Sequence, residues 1–451
     1  MKTFLDWSSY EDAGMGDAYA DIPKTGGNFA KAVAVCIHSK LCENQSDKGV
    51  MCPSYRVTHE SDLSTGGRVR LLKAALNGEL GDQPFADPVL DRAMDLCVSC
   101  KGCKRECENS VDMALIKVEY LAQLNEEAGL SLRARLFAHL PIWLYRWPYL
   151  RKLIEWRNSS KLLATMGEKL LGIAGNRQLP VPATKGFKLP EVRLPTQANK
   201  PVADTESRTE VVLFVDTFSR YFDPDIAEAA LTVLQAGGYH VIVAEPAQAD
   251  RPLCCGRTYL AQGMVAEAKA EAKRMIAALL PHVEAGRTII GLEPSCLLTL
   301  RDEYKAMGLG EAASKLAGQT LLFEEFIARE QTAKTLNLNL KSMDQPVLVH
   351  GHCHQKAVGA MKSMRKVLKL IPKLEFELIE SSCCGMAGSF GVEAEHVATS
   401  WEMAGQSLLP KLRENPNSQV LSNGFSCRQQ IREGDGRSSL HLAQLYRDAL
   451  V

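Results

Sequence analysis

The chain has 451 residues and carries 53 basic against 53 acidic side chains, a formal net charge of zero. That balance gives no overall field to attract a polyanion, so no nucleic-acid partner is expected. No run of about eighteen apolar residues marks a membrane span, and the opening MKTFLDWSSYEDAG lacks the apolar core of a secretion signal.

The expected setting is cytoplasmic, and there fourteen cysteines favour metal or redox chemistry over disulfides. The length allows roughly two to four domains.

Residues 1–30 show no periodicity and are expected to pack as an irregular lead-in to a first domain, 1–130. Two cysteine runs follow, Cys36-x5-Cys42-x9-Cys52-Pro53 and Cys97-x2-Cys100-x2-Cys103-x3-Cys107. The second has bacterial ferredoxin spacing, in which three thiolates hold one cluster and the fourth reaches to the other. By that crossed rule Cys97, Cys100, Cys103 and Cys52 hold a 4Fe–4S cluster, leaving Cys36, Cys42 and Cys107 for a second. Ser39 falls where a middle cysteine would stand, so the second cluster is either 3Fe–4S or a 4Fe–4S whose last iron takes Ser39, Asp47 or water. A zinc ribbon would use two separated CxxC pairs instead. The run resembles the C-x5-C-x3-C-P segment that holds a 3Fe–4S centre in the iron–sulfur protein of succinate dehydrogenase, although nine residues separate Cys42 from Cys52 here. Helices are predicted over 66–78 and 111–127, with Arg68 and Arg70 expected on a solvated face, the alternative being that they offset cluster charge.

The connector, 131–205, is basic and aromatic, with Trp143, Trp147 and Trp156 among arginines and with Pro141 and Pro148 as breaks. Such a segment lies on a membrane surface or packs as a helical hairpin on the protein. A Pro- and Lys-rich linker is predicted over 179–203.

From 206 the pattern becomes an internal repeat, 206–335 and 340–451. In the first copy, strands at 211–215, 240–244 and 288–293 alternate with helices at 226–238 and 263–286. In the second, strands at 347–351, 376–380 and 420–424 alternate with helices at 361–372 and 393–412. Alternation of this kind predicts two parallel α/β sheets with right-handed crossovers. Each copy carries a Cys-Cys-Gly doublet after its second strand, Cys254–Cys255 and Cys383–Cys384, and a later cysteine after its third, Cys296 and Cys427. Ligands of open α/β sheets gather at that strand edge. The second copy adds Cys353 amid His350, His352 and His354, giving four thiolates for a 4Fe–4S cluster. The first has Thr217 or Phe218 where Cys353 stands, leaving three thiols that suit zinc, a degenerate cluster or simple packing.

These stretches resemble the CCG family of cysteine-rich iron–sulfur proteins: GVMCPSYRVTHE, LCVSCKGCKRECENSVDMA, GLEPSCLLTLRDEY, HGHCHQKA, SCCGMAGSFG and NGFSCRQQI. The family includes the cysteine-rich component of heterodisulfide reductase, glycolate oxidase iron–sulfur subunits and lactate-utilisation proteins. The match is nearest to the iron–sulfur half of FAD-linked D-lactate and D-2-hydroxyglutarate dehydrogenases. The resemblance implies an N-terminal α-helical ferredoxin-like domain, a helical connector and two tandem α/β CCG repeats. It also implies an iron–sulfur electron-transfer subunit of a 2-hydroxy acid dehydrogenase, passing electrons to quinone or another carrier. With no room for a flavin domain in the first 30 residues, FAD is expected on a partner chain, and the protein as peripheral on the inner membrane face. The alternatives are a heterodisulfide reductase-like thiol–disulfide enzyme and a zinc-stabilised binding module. Three positions depart from relatives: Glu108 for the usual proline, Gly66 for a frequent arginine, and Gly424 for a further cysteine of heterodisulfide-type sites.

Overall fold

The computed structural model describes residues 1–14, 20–44, 49–188, 209–248 and 250–451, which leaves Asp47 and the 189–203 part of the expected linker outside the described residues. The N-terminal region is helical. Its main helices are Gly27–Ala34, Thr65–Asn77, Pro88–Asp95 and Met113–Ala128, the second and fourth matching the two predicted. Ser64, Asp87 and Asp112 cap three of them, each accepting a backbone N–H of the first turn. The lead-in is anchored on the fourth: buried Glu119 accepts from the backbone N–H of Phe4 and Leu5 and from Trp7 Nε1. Arg68 contradicts its expected place. It is 2% exposed, donating Nε to Ala93 O at 2.6 Å and a terminal nitrogen to Ser54 Oγ at 2.8 Å. Arg70 is solvated, as its neighbours in sequence imply.

The connector forms four short helices, Leu132–Ala138, Leu140–Arg146, Leu150–Ser159 and Lys161–Leu171. Pro141 sits in the first turn of the second, where its missing N–H costs nothing. The chain then straps onto the C-terminal half: Ala174 N donates to Val392 O at 2.8 Å, and the Arg177 guanidinium lies over the Trp401 ring at 4.0 Å.

Two four-stranded parallel sheets follow. The first comprises β1 (Glu210–Phe214), β2 (His240–Val243), β3 (Thr288–Gly291) and β4 (Thr320–Leu322), in the order β2-β1-β3-β4. The second comprises β5 (Val347–Val349), β6 (Phe376–Leu378), β7 (Gln419–Leu421) and β8 (Ser439–Leu440), in the order β6-β5-β7-β8. The order is the same, so the repeat is structural. β4 and β8 are additions to the predicted pattern, three and two residues long and too short to show as periodicity. The helix expected over 393–412 is two, Val397–Gly405 and Leu408–Glu414. One apolar cluster joins Phe323 and Phe326 of the first copy with Val347, Leu442 and Tyr446 of the second.

Candidate metal centres

The cysteine loops of the N-terminal region share a backbone pattern. Ser99 and Lys101, which flank Cys100, have φ of +48° and +61°; His38 and Lys40, which flank Ser39, have φ of +55° and +61°. Left-handed non-glycine residues are uncommon and cluster at ligand clamps. The match sets Cys36 beside Cys97, Cys42 beside Cys103 and Ser39 beside Cys100, so serine stands in the middle-cysteine place. Cys52, Cys97, Cys100 and Cys103 line one cavity together with Thr65 and Arg68. Thr65 N donates to Cys52 Sγ at 3.1 Å. Burial pushes the Cys103 thiol up to about 12, so a thiolate there needs a cation to offset it. Cys36, Cys42 and Cys107 form a second, half-exposed group. Gly66 N donates to Cys42 Sγ at 3.3 Å, and the neighbouring Cys52 thiol draws Cys42 down to about 6. The two groups are therefore adjacent.

In the second copy Cys353 opens the helix Cys353–Ala357 after β5, the doublet follows β6, and Cys427 lies in the first turn after β7. All four thiols are buried and converge, Cys383 beside Cys353 and Cys384 beside Cys427. Gly385 has φ +86°, and a Cβ there would stand 2.1 Å from Ser400 O, so only glycine lets the chain turn past the thiols. At Gly424 a Cβ would stand 2.3 Å from the His352 ring, so this space has no room for a further cysteine without moving it. His354 Nε2 meets Ser99 O at 3.0 Å and Ser382 Oγ donates to Val50 O at 2.7 Å. Cys100 and Cys353 belong to one apolar cluster. The second-copy thiols thus abut the 97–103 loop.

In the first copy Cys254, Cys255 and Cys296 are buried and mutually adjacent. Thr217 opens the helix Thr217–Tyr221 as Cys353 opens its own, so the fourth thiol is replaced by threonine. Two buried carboxyls are close by. Asp216 caps that helix and is raised to about 6 by burial and then by Glu293. Glu293 lies between the copies, accepting from Phe425 N at 2.7 Å. Lys101 ties this copy to the N-terminal region through Asp302 at 2.6 Å and Glu303 at 2.8 Å.

None of the fourteen cysteines forms a disulfide. Groups of convergent soft thiols, free of bridges and mostly buried, fit iron–sulfur ligation. Comparison with known proteins agrees. A 4Fe–4S dicluster domain model matches residues 32–111, and a cysteine-rich domain (CCG) model matches twice, at 217–301 and 347–432. The chain is a CCG-type iron–sulfur protein. It is 24% identical over 454 residues to D-2-hydroxyglutarate dehydrogenase of Pseudomonas putida, covering 92% of this chain and 43% of that protein. It is 27% identical over 246 residues to one subunit of the anaerobic glycerol-3-phosphate dehydrogenase of Escherichia coli, covering 54% of this chain and 60% of that one. Lactate utilization protein A of Bacillus velezensis is 26% identical over 197 residues, 42% of this chain and 77% of that one. The CCG protein spans less than half the length of the D-2-hydroxyglutarate dehydrogenases it matches.

Three site features of this CCG protein are not evident from sequence alone. Arg68 in the cavity wall fits the alternative, charge-offsetting role rather than the favoured solvated one. Lys101 has none, because its acidic partners are about two hundred residues away. Glu293 precedes Pro294-Ser295-Cys296 and is legible only as part of that motif.

Proposed function

We propose that the chain is the iron–sulfur electron-transfer part of a flavin-dependent 2-hydroxy acid dehydrogenase, receiving electrons from a partner flavoprotein and delivering them to quinone or another carrier. The observation that carries this reading is the contact between both N-terminal cysteine loops and the residues flanking the second CCG thiols, through Ser99 O to His354 and Val50 O to Ser382. When bound, iron–sulfur clusters exchange single electrons at potentials set by ligands and burial. In this assignment Cys52, Cys97, Cys100 and Cys103 hold a 4Fe–4S cluster in a ferredoxin-like domain, 1–130. Cys36, Cys42 and Cys107 hold a 3Fe–4S or 4Fe–4S cluster beside it, and Cys353, Cys383, Cys384 and Cys427 hold a further 4Fe–4S. In this reading the chain's own groups bury the second CCG centre and leave the Cys36, Cys42 and Cys107 centre half-exposed. Cys254, Cys255 and Cys296 provide three thiols for metal in the first CCG domain, 206–335; the second spans 340–451. Gly424, hemmed in by the His352 ring, disfavours a heterodisulfide reductase-like site.

A membrane surface is the second proposed partner. No helix among the described residues is long and apolar enough to cross a membrane. Residues 131–171 nevertheless carry eight Lys and Arg against two Glu, and Trp147, Tyr149, Trp156, Leu162 and Leu170 there are exposed. Basic, aromatic-bearing helices of this kind lie in the interface of anionic bilayers.

The electron-transfer reading is tested by purifying the chain anaerobically with its co-purifying partner and adding D-2-hydroxy acids. Substrate-driven bleaching of the cluster absorbance is expected. Intact hydroxy-acid oxidation after the chain is removed would overturn the reading. Flotation with anionic liposomes at low salt tests the surface, and no co-migration overturns it.

A further inference from the structure

The second CCG group holds one donor that the thiol pattern does not account for. His350 follows β5 directly and is 1% exposed. Its Nδ1 meets Ser381 Oγ at 3.1 Å. Lys356 fixes that serine, its Nζ donating to Ser381 Oγ at 3.0 Å and to Ser381 O at 2.5 Å. The other ring nitrogen, Nε2, is buried with no nitrogen or oxygen partner and faces the Cys384 thiol. A ring nitrogen of His350, Cys384 Sγ and Cys427 Sγ lie within 4.8 Å of one another, and Nε2 is the nitrogen left free to serve them. A thiol is a weak partner for a buried imidazole nitrogen, so a nitrogen and two sulfurs kept together here suit a shared ligand.

Of the neighbouring histidines, His352 is committed elsewhere and His354 through one nitrogen, its Nδ1 being buried without a partner. His352 Nδ1 accepts from His354 N at 3.1 Å, and His354 Nε2 meets Ser99 O at 3.0 Å. Neither joins a comparable donor group among the described residues.

We propose that His350 Nε2 is a direct nitrogen donor at the second CCG site beside Cys384 and Cys427, filling a terminal iron position in place of Cys353 or Cys383, so that the cluster takes three thiolates and one imidazole. Metal-bound histidines orient themselves by giving their other ring N–H to a nearby oxygen, and Ser381 Oγ occupies that place against Nδ1. Imidazole is neutral where a cysteine ligand is anionic, so histidine ligation raises the reduction potential of an iron–sulfur centre relative to ligation by thiolates alone. This assignment rests on iron occupying the site.

The test uses the full chain, produced with 15N-histidine and reconstituted anaerobically with ferrous iron and sulfide. Pulsed EPR is recorded on the reduced protein. The signal lost on Cys384→Ser identifies the second CCG centre. It is expected to carry the strong 15N coupling of a directly bound nitrogen, absent from His350→Ala and retained in His354→Gln. His350→Cys is expected to keep the iron and lower the potential. A Cys384-dependent signal with only weak coupling, or a strong coupling that survives His350→Ala, overturns the nitrogen assignment and leaves the iron site standing. Absence of any iron signal that depends on Cys384 overturns both. The labelled wild-type chain decides the matter alone if His350→Ala fails to fold.

Discussion

Substitution of His396 by glutamine gives a pH-dependent test of how the N-terminal region is fastened to the second CCG unit. His396 is 2% exposed, stacks on Phe390 at 4.2 Å, and sits between Glu393 Oε2 at 3.0 Å and Asp95 Oδ2 at 2.6 Å. Burial works against its charged form, but hydrogen bonds to Asp95 and Glu393 prevail and lift it to about 9. Against the ordinary histidine value of 6.5, that is about 3 kcal/mol of linked stability. Asp95 is 48% exposed, and solvent screening trims the figure to roughly 2 kcal/mol. Because the folded value is raised, this contribution is fully present below pH 6.5 and is lost as pH rises through 9. Urea unfolding followed by circular dichroism at pH 6, 8 and 10 would compare wild type with His396→Gln. The wild type is expected to lead by roughly 2 kcal/mol more at pH 6 than at pH 10. A gap of constant size would refute the charged clamp, since lost ring stacking alone does not titrate.

Cys384→Ser is expected to remove the iron of the second CCG site and leave the signals assigned to the N-terminal cysteines, as read by EPR and iron content. Lys101→Met removes one of the two cations on each of Glu303 and Asp302, which keep Arg257 and Lys104, and should cost roughly 1–3 kcal/mol in unfolding free energy. A shift in thermal midpoint within error of zero would contradict that. Gly385→Ala forces a Cβ against Ser400 O at a positive φ. It should cost roughly 2–4 kcal/mol and lower iron loading of the second site, measurable by denaturation and metal analysis.

The cysteine spacing makes the site groups legible before any coordinates, because thiol–metal chemistry demands short, fixed gaps that sequence preserves. Cys52 joining Cys97, Cys100 and Cys103 around one cavity is the clearest case, and Ser39 in the middle-cysteine place is another. The repeat is equally visible, since both copies carry a Cys-Cys-Gly doublet after the second predicted strand and a cysteine after the third. What sequence does not supply are relations between distant residues. Arg68 looks like an ordinary helix-surface arginine, and only the packing of the helix Thr65–Asn77 against Ser54 and Ala93 buries it. β8 is two residues long, and its place beside β7 is set by sheet pairing rather than by pattern. The break between Val397–Gly405 and Leu408–Glu414 falls at Gly405-Gln406-Ser407, where glycine and serine weaken a helix that apolar periodicity alone would carry through.

The apolar cluster running from Phe323 and Phe326 to Val347, Leu442 and Tyr446 has a consequence for how the duplicated half can be divided. The last helix, Leu442–Asp448, lies on the first copy's helix Pro224–Ala236, where Arg447 and Gln444 bond Asp225. A cut in the 335–346 segment would leave each fragment with a bare apolar face, so neither repeat is a free-standing module. Mixed together, the two fragments should reassemble by complementation, whereas either one alone should aggregate.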